Sequence, residues 1–242
     1  MQKLSAEQRT QWAVDGYLCI EGALNSEEID FFSNDYLGLS KVPTSNSKFE
    51  FNGSTGSRLL SGNSSIAEEC ESILAAHFDA ESALVYGSGY VANLGLLSAI
   101  LQRGDVVFYD QYVHASSRDG MRLALADSVS FKHNDVSDLS NKLSKSASQN
   151  NYVLVESLYS MDGDLAPLVE IASICAEYNA FLIVDEAHAC GVYGDMGKGL
   201  CYQNKILAQI FARVITFGKA YGSHGAVVLG AEALKDLSLI HI

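Results

Sequence analysis

An α/β fold, with a mostly parallel sheet covered by helices on both faces, is predicted by three features of this 242-residue sequence. Short apolar runs alternate with helix-patterned segments of about a dozen residues, the pattern of strands buried on both faces. Apolar residues make up 48% of the chain against 19% charged, enough to bury a substantial core. Polar and small residues collect directly after the apolar runs, where ligands bind in sheets of this kind.

The segment "SSIAEECESILAAHF" (64–78) reads as a helix opened by a capping box, Ser65 with Glu68 three residues on. "ALVY" (83–86) is a short buried strand, and "YVANLGLLSAIL" (90–101) a helix. "DVVFYD" (105–110) is a strand, followed by a helical stretch near "SSRDGMRLALA" (116–126). "SVSFKH" (128–133) predicts a strand, "VSDLSNKLSK" (136–145) a polar helix, and "YVLVES" (152–157) a strand. The helix "PLVEIASICAEYN" (167–179) and the strands "FLIVDE" (181–186), "RVITF" (213–217) and "AVVLG" (226–230) complete the series. "SKSASQNN" (144–151) is a polar surface loop, and there are no repeats.

Charge and cysteine usage narrow the function. The net charge is −13, from 29 acidic and 16 basic residues, which is unsuited to gripping a phosphate backbone; no nucleic-acid partner is expected. Cys19, Cys70, Cys175, Cys190 and Cys201 form no C-x-x-C pair and leave an odd count, which fits a reduced compartment. With no leader pattern and no apolar run of membrane-spanning length, a soluble cytoplasmic protein is expected, with no membrane partner.

"FLIVDEAHACGVYG" (181–194) contains the Asp-Glu-Ala-His tetrad of one helicase class. That chemistry needs a phosphate-binding loop ending Gly-Lys-Ser/Thr. Here Gly197-Lys198 is followed by Gly199 and Gly218-Lys219 by Ala220, and both pairs come after the tetrad. An ATPase is therefore disfavoured. The same strand tip carries Asp185, which burial obliges to find a partner, such as a protonated pyridine nitrogen. His188 is either a structural histidine or a ligand to a ring substituent. Lys219, among small residues after an apolar strand, is either a snorkelling surface lysine or an imine-forming amine. "GSG" (87–89) is either a tight turn or a turn that offers helix N–H groups to an anion. His114 is a candidate for lying over an aromatic ring, whereas His77, His133, His224 and His241 read as structural or surface residues. No spacing suggests a metal site. Lysine, aspartate, anion turn and two histidines together are the equipment of a pyridoxal-phosphate enzyme.

Six segments then resemble the α-oxoamine synthases, which are fold-type-I pyridoxal-phosphate enzymes. They are "FFSNDYLGLS" (31–40), "SGYVANLGLL" (88–97), "HASSRDG" (114–120), "ESLYSMDGDLAPL" (156–168), "VDEAHACGVYGDMGKG" (184–199) and "TFGKAYGSHGA" (216–226). The resemblance implies a large-domain fold of that type, with pyridoxal 5′-phosphate as cofactor. It implies Lys219 as Schiff-base lysine and base, Asp185 on the pyridine nitrogen, and His188 on the ring oxygen. His114 would stack on the ring, with Gly89 and Tyr90 beside it; Ser160 and Thr216 would supply hydroxyls to the ring-oxygen and phosphate regions. Asn34 and Glu156 would be further site residues.

The implied reaction condenses an amino acid with an acyl thioester, with loss of CO2, in a homodimer. "SMDGDLAPL" and "HNDVSDL" most resemble the branch that joins L-alanine to a pimeloyl thioester, carried on CoA or acyl carrier protein, in biotin synthesis. Glycine C-acetyltransferase, 5-aminolevulinate synthase and serine palmitoyltransferase types are the alternatives, as is an inactive fragment. The family's C-terminal small domain is expected to be missing, with its carboxylate-binding arginine. Residues 31–236 are expected to be the cofactor-binding large domain. Residues 237–242 read as a non-native tail, the translation of a sequencing adapter. Residues 1–30 read as an atypical segment, similar through "DGYLCIEGALNSEE" to the start of phytanoyl-CoA dioxygenase-type proteins.

Overall fold

The computed structural model describes residues 34–41 and 56–241. The chain divides into two compact units, Met1–Asn34 and Asp35–Ile242, and the fold below is that of the second. The expected segment 1–30 lies outside the described residues.

Seven strands form one sheet in the order β1-β7-β6-β5-β4-β2-β3. They are β1 (Ser82–Tyr86), β2 (Val106–Asp110), β3 (Asp127–Phe131), β4 (Asn151–Glu156), β5 (Phe181–Asp185), β6 (Ile210–Thr216) and β7 (Ala226–Gly230). Neighbours from β3 through β6 are parallel, while β7 runs antiparallel to both β6 and β1. The second reversal restores direction, so β1 points the same way as the parallel strands. Tyr86, Asp110, Glu156, Asp185 and Thr216 therefore end at one rim, as the sequence predicts for the residues that follow them.

The α-helices among the described residues are α1 (Ser65–His77), α2 (Gly89–Ile100), α3 (Ala115–Leu123), α4 (Val136–Leu143), α5 (Leu168–Glu177), the single turn α6 (Leu200–Gln203) and α7 (Glu232–His241). Strand residues alternate between two cores, as a period of two requires. Leu154, Ile183, Val214 and Val228 pack with Leu96, Leu97 and Ile100 of α2 and with Leu234 of α7. Val153, Val155, Leu182 and Val184 face the other way, against Leu139 and Leu143 of α4 and Leu168, Ile171 and Cys175 of α5. A smaller cluster seats Ala75 and Phe78, from the end of α1, on Ile215, Val227 and Leu229.

Two local readings are corrected. The cap of α1 is Ser64, whose Oγ accepts from Ala67 N at 3.2 Å, so the cap lies one residue before the expected one and the Ser65–Glu68 capping box does not form. Glu68 instead accepts from Asn63 Nδ2 at 2.6 Å. Helix α7 was not predicted. It crosses from the expected large domain into residues 237–241, with Ser238 buried.

Beyond Asp185 the chain turns Glu186 to the opposite side, where it is fully buried. Arg213 of β6 donates through Nε to Glu186 Oε2 at 2.8 Å, and Cys201 N donates to Oε1 at 3.0 Å. The remaining guanidinium nitrogens donate to Phe78 O at 3.1 Å and Lys198 O at 2.6 Å. This pair ties β5, β6, α6 and the end of α1 together. Removing one member of a buried pair strands the other charge, at a cost of about 3–5 kcal/mol. Arg213→Met should lower unfolding stability by about that amount, read as an earlier urea midpoint. A midpoint unchanged from wild type would contradict this role.

Candidate functional site

At the rim, α2 starts where β1 ends. Ser88 caps it, accepting Val91 N at 3.2 Å, and Gly89 and Tyr90 open the first turn. The first N–H groups of a helix have no intrahelical partner, so this end of α2 offers donors to the cleft. Thr216 closes β6 beside it; a Cβ on Gly89 would lie 3.4 Å from Thr216 Cβ.

Between β6 and β7 the chain makes a closed loop. Phe217 N donates to Gly225 O at 2.9 Å, and Gly222 N to Lys219 O at 2.9 Å. Gly222 and Gly225 both have positive φ, +56° and +100°, which the loop needs and which glycine adopts at least cost. The loop delivers Lys219 into the cleft. Its Nζ lies 2.5 Å from His188 Nε2, and His188 Nδ1 is 2.6 Å from Tyr36 Oη. Burial lowers the Lys219 pKa, opposed first by the charge of Asp185. His188 is pulled down to about 4, first by burial and then by the Lys219 charge, and is neutral at physiological pH.

Asp185 closes β5 and is buried. Its Oδ2 accepts from Asn93 Nδ2 at 2.8 Å and its Oδ1 from Ala187 N at 2.9 Å. Glu156 is its neighbour across the β4–β5 register and is equally buried. Desolvation, and next the adjacent Asp185, push the Glu156 pKa up to about 8, although His114 N donates to Glu156 Oε1 at 2.6 Å. Glu156 is thus a neutral acid at pH 7. His114 caps α3: its Nδ1 accepts Ser116 N at 3.2 Å and lies 2.8 Å from Ser116 Oγ.

One cleft brings together Gly89, Tyr90, His114, Asp185, His188, Thr216 and Lys219. Tyr90 lies at its edge, half-exposed, with its hydroxyl donating to Asp119. Ser160 is placed elsewhere. It sits exposed at the tip of a loop after β4 and lines a separate depression with Tyr112, Arg118 and Met161. That loop is pinned at its base by Asp164, whose Oδ2 meets His133 Nε2 at 2.7 Å; His133 Nδ1 in turn meets Asp110 Oδ1 at 2.9 Å. His133, read from the sequence as structural or surface, joins the ends of β2 and this loop. Asn93, Ser116 and Ala187 also line the cleft and were not singled out, nor was Tyr36. Asn93 and Ser116 are polar residues at buried helix positions, and that burial pattern was the one signal that could have found them.

The profile of the aminotransferase class I and II family matches residues 26–239. Among curated proteins, the chain is 40% identical over 238 residues to the 8-amino-7-oxononanoate synthase of Emericella nidulans, covering 88% of this chain and 58% of that protein. Among solved structures it is similar to a Sphingomonas wittichii serine palmitoyltransferase, with a TM-score of 0.81 at 34% identity, covering 86% of this chain and 54% of that one. A structure of SPT with PLP matches with a TM-score of 0.78 at 31% identity, over 86% of this chain and 54% of that one. The chain thus spans little more than half the length of the relatives it matches.

The buried acid makes stability depend on pH. Unfolded glutamate loses its proton near 4.5 and folded Glu156 near 8, so the folded state holds an extra proton between these values and stability falls as pH rises. His188 acts oppositely below 6.5, where the unfolded histidine gains a proton that the folded one refuses until about 4. Of the two, Glu156 acts alone between pH 6.5 and 8. Glu156→Gln should flatten the decline of the urea midpoint across that window; an unchanged slope would rule out the buried neutral acid.

Proposed function

The chain belongs to the aminotransferase class I and II family, and from that premise we propose that it is the large-domain portion of a pyridoxal-phosphate-dependent C-acyltransferase. The proposed reaction condenses L-alanine with a pimeloyl thioester, releasing CO2. The observation that carries this reading is the convergence of Lys219, Asp185, His188 and the start of α2 on one cleft. The curated relative named 8-amino-7-oxononanoate synthase supports the choice of substrates.

The donor set fits the cofactor. Lys219 would bond its aldehyde carbon, Asp185 its ring nitrogen and His188 its ring oxygen; the first turn of α2, with Thr216, would hold its phosphate. Bound there, the cofactor supplies an electron sink for the carbanion formed at the amino acid's Cα. The lowered pKa of Lys219 keeps more of its amine unprotonated, as both a nucleophile and a base at Cα require. His188 and Tyr36 hold that amine in place. Glu156, uncharged, adds no second negative charge beside Asp185. Glu186 has no part in the chemistry, since both its oxygens are taken by Arg213 and Cys201 N.

A second reading is serine palmitoyltransferase-type chemistry, favoured by the solved structures of that enzyme. A homodimer is proposed for the complete protein. With pyridoxal phosphate the purified chain should show the visible absorbance of the lysine-bound cofactor, and Lys219→Ala should abolish it. Absence of the band, or its persistence in the variant, sinks the cofactor assignment. L-Alanine with pimeloyl thioester should then yield product and CO2. Turnover only with L-serine and palmitoyl thioester would favour the second reading, and a band without any product identifies a cofactor-binding fragment.

A further inference from the structure

Four groups in the cleft form one continuous chain of hydrogen bonds whose direction is fixed by chemistry. It begins at Asn93, 2% exposed in the middle of α2. The Asn93 amide nitrogen carries two hydrogens and can only donate. One goes to Asp185 Oδ2 at 2.8 Å and the other to Ser116 Oγ at 3.1 Å. With a lone pair of Ser116 Oγ so occupied, its hydroxyl hydrogen is free for His114 Nδ1, 2.8 Å away. Ser116 N, also only a donor, points to the same Nδ1 at 3.2 Å. His114 Nδ1 must therefore accept, and the proton of the neutral ring resides on Nε2. Among the described residues nothing in the fold bonds to that Nε2–H.

Close packing keeps the chain intact. Gly120 of α3 lies so near α2 that a Cβ there would stand 2.9 Å from Asn93 O and 3.1 Å from Leu97 Cβ. That approach brings Ser116 within reach of Asn93. The neighbouring His188 has the reverse arrangement. While Lys219 is charged it can only donate to His188 Nε2, so the proton of that ring sits on Nδ1, toward Tyr36.

We propose that Asn93 and Ser116 are positioning residues that link Asp185 to His114 and hold His114 in its Nε2–H tautomer, presenting a donor to the cleft. The name positioning residue rests on the cofactor reading above; the tautomer does not. Histidine-selective 15N labelling of the cofactor-free chain, with His114 assigned through His114→Gln, reads it directly. Expected is a protonated, pyrrole-type Nε2 and a hydrogen-bonded, pyridine-type Nδ1 at His114, with the two types exchanged at His188. Ser116→Ala should move the Nδ1 resonance toward that of a free pyridine-type nitrogen, and Ser116→Thr, which keeps the hydroxyl, should restore it. Asn93→Ala should give a smaller shift in the same direction.

A proton on His114 Nδ1 in the wild type, or a resonance unmoved by Ser116→Ala, overturns the proposal. The wild-type spectrum decides the tautomer even if a variant fails to fold. If the tautomer is found but pyridoxal phosphate gives no visible band, the relay stands and the functional reading falls.

Discussion

The site hangs on the fact that β5, buried from Leu182 onward, runs out into two consecutive carboxylates, Asp185 at its end and Glu186 just after it. The two-residue period sends Asp185 to one side of the sheet and Glu186 to the other, and neither can remain buried without partners. On one side Asn93 and the Ala187 amide receive Asp185. On the other Arg213 and the Cys201 amide receive Glu186. One carboxylate is thereby made available to a ligand while the other becomes a strut. Strand β4 sharpens the division, because its last residue, Glu156, lies directly beside Asp185. Two carboxyls that close in a desolvated place cannot both carry charge cheaply, and Glu156 is the one that keeps its proton.

The Asp-Glu-Ala-His tetrad accordingly has a different meaning from the one its letters first suggest. In this fold its first and last members face the cleft. Its second member is locked into an ion pair that spans several elements. No side-chain oxygen of Glu186 is left over for a metal-bound water. A short motif is a set of side-chain directions as much as a set of letters, and the strand beneath it decides which of them point at the ligand.

Much of this was legible in the sequence. Every predicted strand and helix is present, with no end shifted by more than three residues, since apolar runs of strand length are strong signals when helices separate them. The rim followed from the same pattern, and with it Asp185, His188, Thr216 and Lys219. Strand direction did not follow. An apolar run reads the same parallel or antiparallel, and the one available signal was the connection of nine residues between β6 and β7, too short for a parallel crossover. The cap of α1 fell one residue early because Ser64 and Ser65 are chemically equivalent candidates. Asn93 and Ser116 were invisible for another reason: each is ordinary within its helix and acquires its role only when α2 and α3 meet.

The order of the sheet also fixes an order in time. Strand β1 is made early, yet among the described residues its one sheet partner is β7, the last strand. Until β7 emerges during synthesis, β1 has an unpaired edge on each side. Contacts so distant along the chain are slow to form, and exposed edges of this kind invite association between nascent molecules. The lysine-bearing loop lies between β6 and β7. The step that seals the sheet therefore also closes the loop that carries Lys219 into the cleft.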